Sequence, residues 1–144
     1  MDSAEIKERI GQGAIRAKII IEIVGRPKEK VEEVIKERSE TFEKQFTVLE
    51  KETAEAKKVS EKFFSSFVEA EILFKNFTEL LGFTFDNMPS SIEIIEPEKI
   101  TEDANLMNDL MNDLATKLHQ YNEAILKLKA ANALIKKKQE EKKD

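Results

Sequence analysis

The chain has 144 residues, 37% of them charged, with 24 Lys+Arg against 29 Asp+Glu and a formal net charge of −5. Its length predicts a single domain, 1–144, large enough to bury a core. The acidic balance sets nucleic acid aside as a primary partner, because phosphate binding wants a basic excess. The absence of cysteine excludes disulfides, thiolate metal sites and a cysteine nucleophile.

Met1-Asp2-Ser3-Ala4-Glu5 is acidic and has no apolar run behind it. It predicts no signal peptide and no membrane anchor, and with the lack of cysteine it makes the cytoplasm the expected compartment. Ala4–Ile10 reads as a short helix behind Ser3. Gly11-Gln12-Gly13 then forms a flexible joint, so 1–14 stands before the main fold.

The stretch Ile15–Val24 is the strongest strand signal, with four β-branched residues in the five positions from Ile19 to Ile23. Such residues suit a pleated, buried surface better than a helix interior. A buried strand must hydrogen-bond on both sides, so partner strands are required elsewhere. After Gly25-Arg26-Pro27, a helix from Lys28 to Lys44 is predicted, with Pro27 at its first position and Val31, Val34, Ile35 and Phe42 on one face. A helix in that position carries the chain to a later strand running parallel to the first.

Phe46–Phe74 supports two periods. Val68, Ala70, Ile72 and Phe74 alternate with Glu69, Glu71 and Leu73, as in a strand. Phe46, Leu49, Thr53, Ala56, Ser60, Phe63, Phe67, Ala70 and Phe74 also follow an unbroken 3-4 spacing, and no Gly or Pro lies between Lys28 and Leu81. That second pattern permits a mostly α chain built as a long helical hairpin. A β-hairpin is the reading adopted, because Ile15–Val24 and Ile92–Ile95 need two further strands to make a worthwhile sheet. Those strands fall near Phe46–Lys57 and Phe63–Phe74, around a turn at Lys58-Val59-Ser60-Glu61.

Asn76 is placed to cap a short helix carrying Phe77, Leu80 and Leu81, with Gly82 as its stop. Phe83–Pro89 then reads as a loop, and Ser91–Glu96 as a strand ended by Pro97. Thr101 is the predicted N-cap of a last helix covering 101–138. The nine phenylalanines read as core.

The order β-α-β-β-α-β, followed by a long helix, predicts an α+β, ferredoxin-like core over 15–97 with its first and third strands central. The stretch Phe64–Phe74, together with Leu81–Pro97 including Asp86-Asn87-Met88-Pro89, resembles an uncharacterised family of small archaeal ferredoxin-like proteins over residues 15–135. The resemblance implies the fold and assigns no function.

The last helix carries the sharpest functional signal. Met107, Met111, Leu114, Leu118, Tyr121, Ile125, Leu128, Asn132 and Ile135 recur at strict 4-3 spacing, and a seam held at 3.5 residues calls for a partner helix. About thirty-five helical residues reach roughly 50 Å, whereas a domain this small is about 30 Å across. The far end must therefore overhang. Leu114, Leu118, Tyr121, Ile125, Leu128, Asn132 and Ile135 are the expected oligomer interface, most simply of a homodimer, with Asn132 setting register.

Other constellations carry less. His119, the one histidine, builds no triad or multi-histidine site and reads as a solvent or interface residue. Asn108-Asp109 and Asn112-Asp113 lack the shaped loop that a calcium ion needs and read as a solvated face. Asp86 with Glu93, Glu96 and Glu98 offers paired carboxylates, but half-solvated strand positions explain them equally. Arg26 is a candidate anion contact at a helix N-terminus. With no cofactor implied and no nucleophile motif, the expected function is a non-enzymatic interaction or regulatory module that self-associates and engages an unidentified protein partner. The alternative is a sensor holding a metabolite at a sheet or dimer interface.

Overall fold

In a computed structural model that describes residues 1–143, the β-branched run becomes strand β1 (Ile15–Gly25). Its odd-numbered residues point inward, with Ile15, Ala17, Ile19 and Ile21 buried to 0–2% exposure. The full order is α1 (Ser3–Gly11), β1, α2 (Lys28–Gln45), β2 (Thr47–Thr53), β3 (Lys57–Lys58), β4 (Phe64–Phe74), α3 (Phe77–Asn87), β5 (Ser91–Glu96) and α4 (Ala104–Lys143).

The strands form one antiparallel sheet ordered β2-β4-β1-β5, with the short β3 also on β4. β1 and β4 pair without interruption from Ile15↔Phe74 to Gly25↔Phe64. Both β1 and β2 run antiparallel to β4, so they run parallel to each other with β4 between them. That is the sense the α2 crossover requires. The strand order fits a ferredoxin-like fold, with the first and third long strands at its centre.

Tertiary burial decides the contest over Phe46–Phe74. Val68, Ala70, Ile72 and Phe74 all lie at 0–1% exposure on the inner face of β4, and only a period of two can place them there together. The turn is closed by the Val59 amide donating to the Phe63 carbonyl at 2.9 Å. The hairpin's first arm breaks between β2 and β3 at Ala54–Ala56. Here Ser66 Oγ donates to the Ala54 carbonyl at 2.6 Å, and the Ala56 amide donates to Glu32 Oε1 at 3.2 Å.

α2 lays Val31, Ile35, Ser39 and Phe42 on the sheet. The buried Ser39 hydroxyl is satisfied by the Lys36 carbonyl at 2.9 Å. Phe42, Phe74 and Phe83 fill the core beside the β1 isoleucines.

Four local expectations are corrected. The third helix does not stop at Gly82. It continues through Phe83-Thr84-Phe85-Asp86 to Asn87 and ends at Met88, which takes the left-handed conformation (φ 44°). The cost of a helical glycine is about 1 kcal/mol, and the burial of Phe83 to 1% exposure outweighs it. Pro27 is the N-cap of α2 rather than its first residue. The last helix starts at Ala104, not behind Thr101, with the Asp103 carbonyl accepting from the Met107 amide at 3.0 Å. Two phenylalanines, Phe63 and Phe67, are exposed at 43% and 37% rather than buried.

The molecule comprises two compact units, Met1–Ile100 and a second that starts at Thr101 and holds α4.

Candidate interaction surfaces

No Gly or Pro follows Pro97, so nothing in the sequence interrupts α4 once Asp103 has opened it. The result is a 40-residue helix, about 60 Å long. Leu110 is the one buried residue on it. The predicted seam lies open: Leu114 is 38% exposed, Leu118 57%, Tyr121 43%, Ile125 49%, Leu128 64% and Ile135 54%. Asn132, on the same line, is also exposed. Met111 extends the seam toward the N-terminus at 56%. Sequence reasoning missed Leu126 and Leu134, which are 56% and 62% exposed and lie off the 4-3 line.

His119, Asn108, Asp109, Asn112 and Asp113 are exposed on α4. Among the described residues, no group of three or more His, Cys, Asp or Glu is placed to hold a metal ion. Among the described residues no helix is long and apolar enough to cross a membrane.

The sheet unit has its own open face, formed by the residues that alternate with the core. Register sets Glu50 opposite Glu71 and Glu52 opposite Glu69, a like-charge arrangement that would destabilise the strands alone. Arg16 and Lys18 on β1 relieve it. Arg16 Nη2 lies 2.6 Å from Glu71 Oε2, and Lys18 Nζ lies 2.5 Å from Glu69 Oε1. These hydrogen-bonded carboxylates raise the pKa of both basic groups. Glu93 sits opposite Lys18 in register, and Glu96 reaches Arg16 at 4.0 Å. Asp86 lies on α3 and not in this array. The carboxylates singled out from the sequence are thus dispersed, and those on β5 serve the cross-strand charge pattern.

Arg26 does not cap α2. Its guanidinium stands over the Phe63 ring, 5.6 Å from the centroid. Phe63, Phe67 and Val24, the last 58% exposed, lie at the end of the sheet where β1 finishes and β4 begins. The signal for Phe67 was present in the sequence, since it shares the odd-numbered parity of Glu69 and Glu71.

A cleft of about 530 Å³ runs between α2 and the sheet edge, bounded by Glu32, Ser39, Lys51 and Glu55 among others. Glu55 accepts from Lys28 Nζ at 2.9 Å. That contact raises the Lys28 pKa and lowers that of Glu55. Among the described residues, every buried side-chain nitrogen and oxygen has a hydrogen-bond partner.

A family model, the MJ0538 family, matches residues 16–143. The chain belongs to the MJ0538 family. The match takes in residues of every strand of the sheet and all of α4. No curated protein and no solved structure matches the chain.

Proposed function

We propose that this member of an archaeal family is a non-enzymatic, cytoplasmic interaction or regulatory module that self-associates through α4 as a homodimer. The observation that carries the reading is the seam from Leu114 to Ile135, whose apolar residues keep 38–64% of their surface open to solvent. A 4-3 repeat that stays open within one chain is the form a helical partner covers. Burying one aliphatic side chain contributes roughly 1.5–3 kcal/mol. Five on each copy, with Tyr121 beside them, therefore supply enough to offset the cost of association.

Sedimentation equilibrium at about 100 µM, where a micromolar dimer is mostly formed, tests this directly. A dimer is expected. Ile125→Asp puts a charge into the seam and shifts the equilibrium toward monomer, whereas Lys127→Asp, off the seam, shifts it far less. A monomer at that concentration overturns the reading.

A second reading, a small-ligand sensor, is favoured by the cleft between α2 and the sheet edge, which has the volume of a metabolite site. A metabolite that raises the melting temperature of the purified protein, with the effect lost in Lys51→Ala, is its test.

A further inference from the structure

The uncovered seam does not by itself say which way a second copy runs along it, but the charges on α4 do. Within α4, Ala104–Glu123 carries three acids, Asp109, Asp113 and Glu123, against Lys117, whereas Ala124–Lys143 carries seven lysines against Glu140 and Glu141. The apolar line runs through both halves, so any pairing that covers it lays charged halves side by side. A parallel pair would set acid beside acid and lysine beside lysine. An antiparallel pair sets each acidic half beside a basic one, and it opposes the two helix dipoles as well.

We infer that two copies of α4 pair antiparallel, centred between Tyr121 and Ile125. This rests on the self-association proposed above and specifies its geometry. In this register Tyr121 packs on the partner's Ile125, Leu118 on the partner's Leu128, Leu114 on the partner's Asn132 and Met111 on the partner's Ile135. The seam is covered from end to end. Lys137 comes level with the partner's Asp109, so the basic half of one copy runs alongside the acidic half of the other. Ala124, beside the centre, meets the partner's Ala124 and lets the backbones approach closely.

Asn132 is the counter-signal, because parallel pairing would set it beside its twin. Antiparallel pairing brings Asn122 together with the partner's Asn122 at the flank of the seam. Antiparallel pairing also sets Asn132 on the partner's Leu114, a cost in stability that the attraction between the segregated charges offsets.

Because the chain lacks cysteine, single thiols can be placed for spin labels on the full-length protein. Lys137→Cys and Asp109→Cys both lie on the exposed outer side of α4, away from the seam. The expected Lys137→Cys homodimer shows a label separation of about 40 Å, from twenty-eight residues of offset at 1.5 Å each. An equimolar mixture of the two variants shows a short separation, about 20 Å or less, across one helix pair. A short distance in the Lys137→Cys homodimer, or a mixture without the short distance, overturns the antiparallel register while leaving self-association standing. Sedimentation as a monomer at about 100 µM overturns both. Unchanged helix content by circular dichroism confirms that the labelled proteins are folded.

Discussion

Phe83 packs edge-on against Phe74, with ring centroids 5.3 Å apart and planes at 63°. It meets Phe46 and Phe42 in the same manner, at 5.2 Å and 6.0 Å. The contact joins α3 to the central strand β4 and closes the core beneath the short helix. Phe83→Ala should therefore cost about 3–5 kcal/mol, as is usual for emptying a buried aromatic site. Urea denaturation measures it, and a loss under about 1 kcal/mol would place Phe83 outside the core.

Gly82 and Gly13 should respond oppositely to the same substitution. Gly82 is helical, and a methyl group added there meets nothing within 4 Å. Gly82→Ala should stabilise the protein by about 0.5–1 kcal/mol. Gly13 turns the chain from α1 into β1 at φ 107°, where an L side chain is strained. Gly13→Ala should destabilise by about 1 kcal/mol or more. Equal shifts in the two denaturation midpoints would contradict the helical assignment at Gly82.

These residues also mark where the sequence is legible and where it is not. β1 could be read because its β-branched run has no competing helical pattern, and β4 because the Val68–Phe74 alternation is locally complete. The strand order followed from the succession of elements. Gly82 misled because a glycine after an apolar turn is the usual C-terminal signal, and only the tertiary pocket for Phe83 reverses it. Thr101 misled because Asp103, two residues on, is as good a start for the last helix. The seam of α4 was visible as a repeat. The acidic open face was not, since the opposition of Glu50 to Glu71 depends on a register shift between Val48 and Glu50 that no local pattern announces.

The Lys28–Glu55 pair makes a pH-dependent contribution with a definite sign. Lys28 lowers the Glu55 pKa. The pair's stabilisation is therefore full above the unfolded carboxylate value of about 4.3 and is lost as pH falls through the lower folded value. Glu55 raises the Lys28 pKa. On the alkaline side the contribution is full below about 10.4 and is lost as pH rises through the higher folded value. The stability difference between the unmodified protein and Glu55→Gln should be constant near neutrality and vanish at both extremes. It should be small throughout, because both groups are solvent-screened. A difference that persists at strongly acid pH would show that Glu55 acts through something other than Lys28.

The amides of α4 should report association directly. A helix that buries one residue in its own chain has little tertiary packing to hold its hydrogen bonds, so the segment from Leu118 to Ile135 opens at low free energy in the monomer. Covering the seam with a second copy adds the association free energy to that local opening, and mass action makes the gain depend on protein concentration. Hydrogen exchange in Leu118–Ile135 should therefore slow as concentration rises through the dissociation constant. Ile19, Ile21, Val68 and Ile72 sit in paired central strands at 0–2% exposure, where exchange needs opening of the sheet itself. Their amides should be protected at every concentration, and Ile125→Asp should abolish the concentration effect in α4 while leaving them unchanged. Protection of Leu118–Ile135 that is already high and invariant in dilute solution would mean that the seam is covered within one chain.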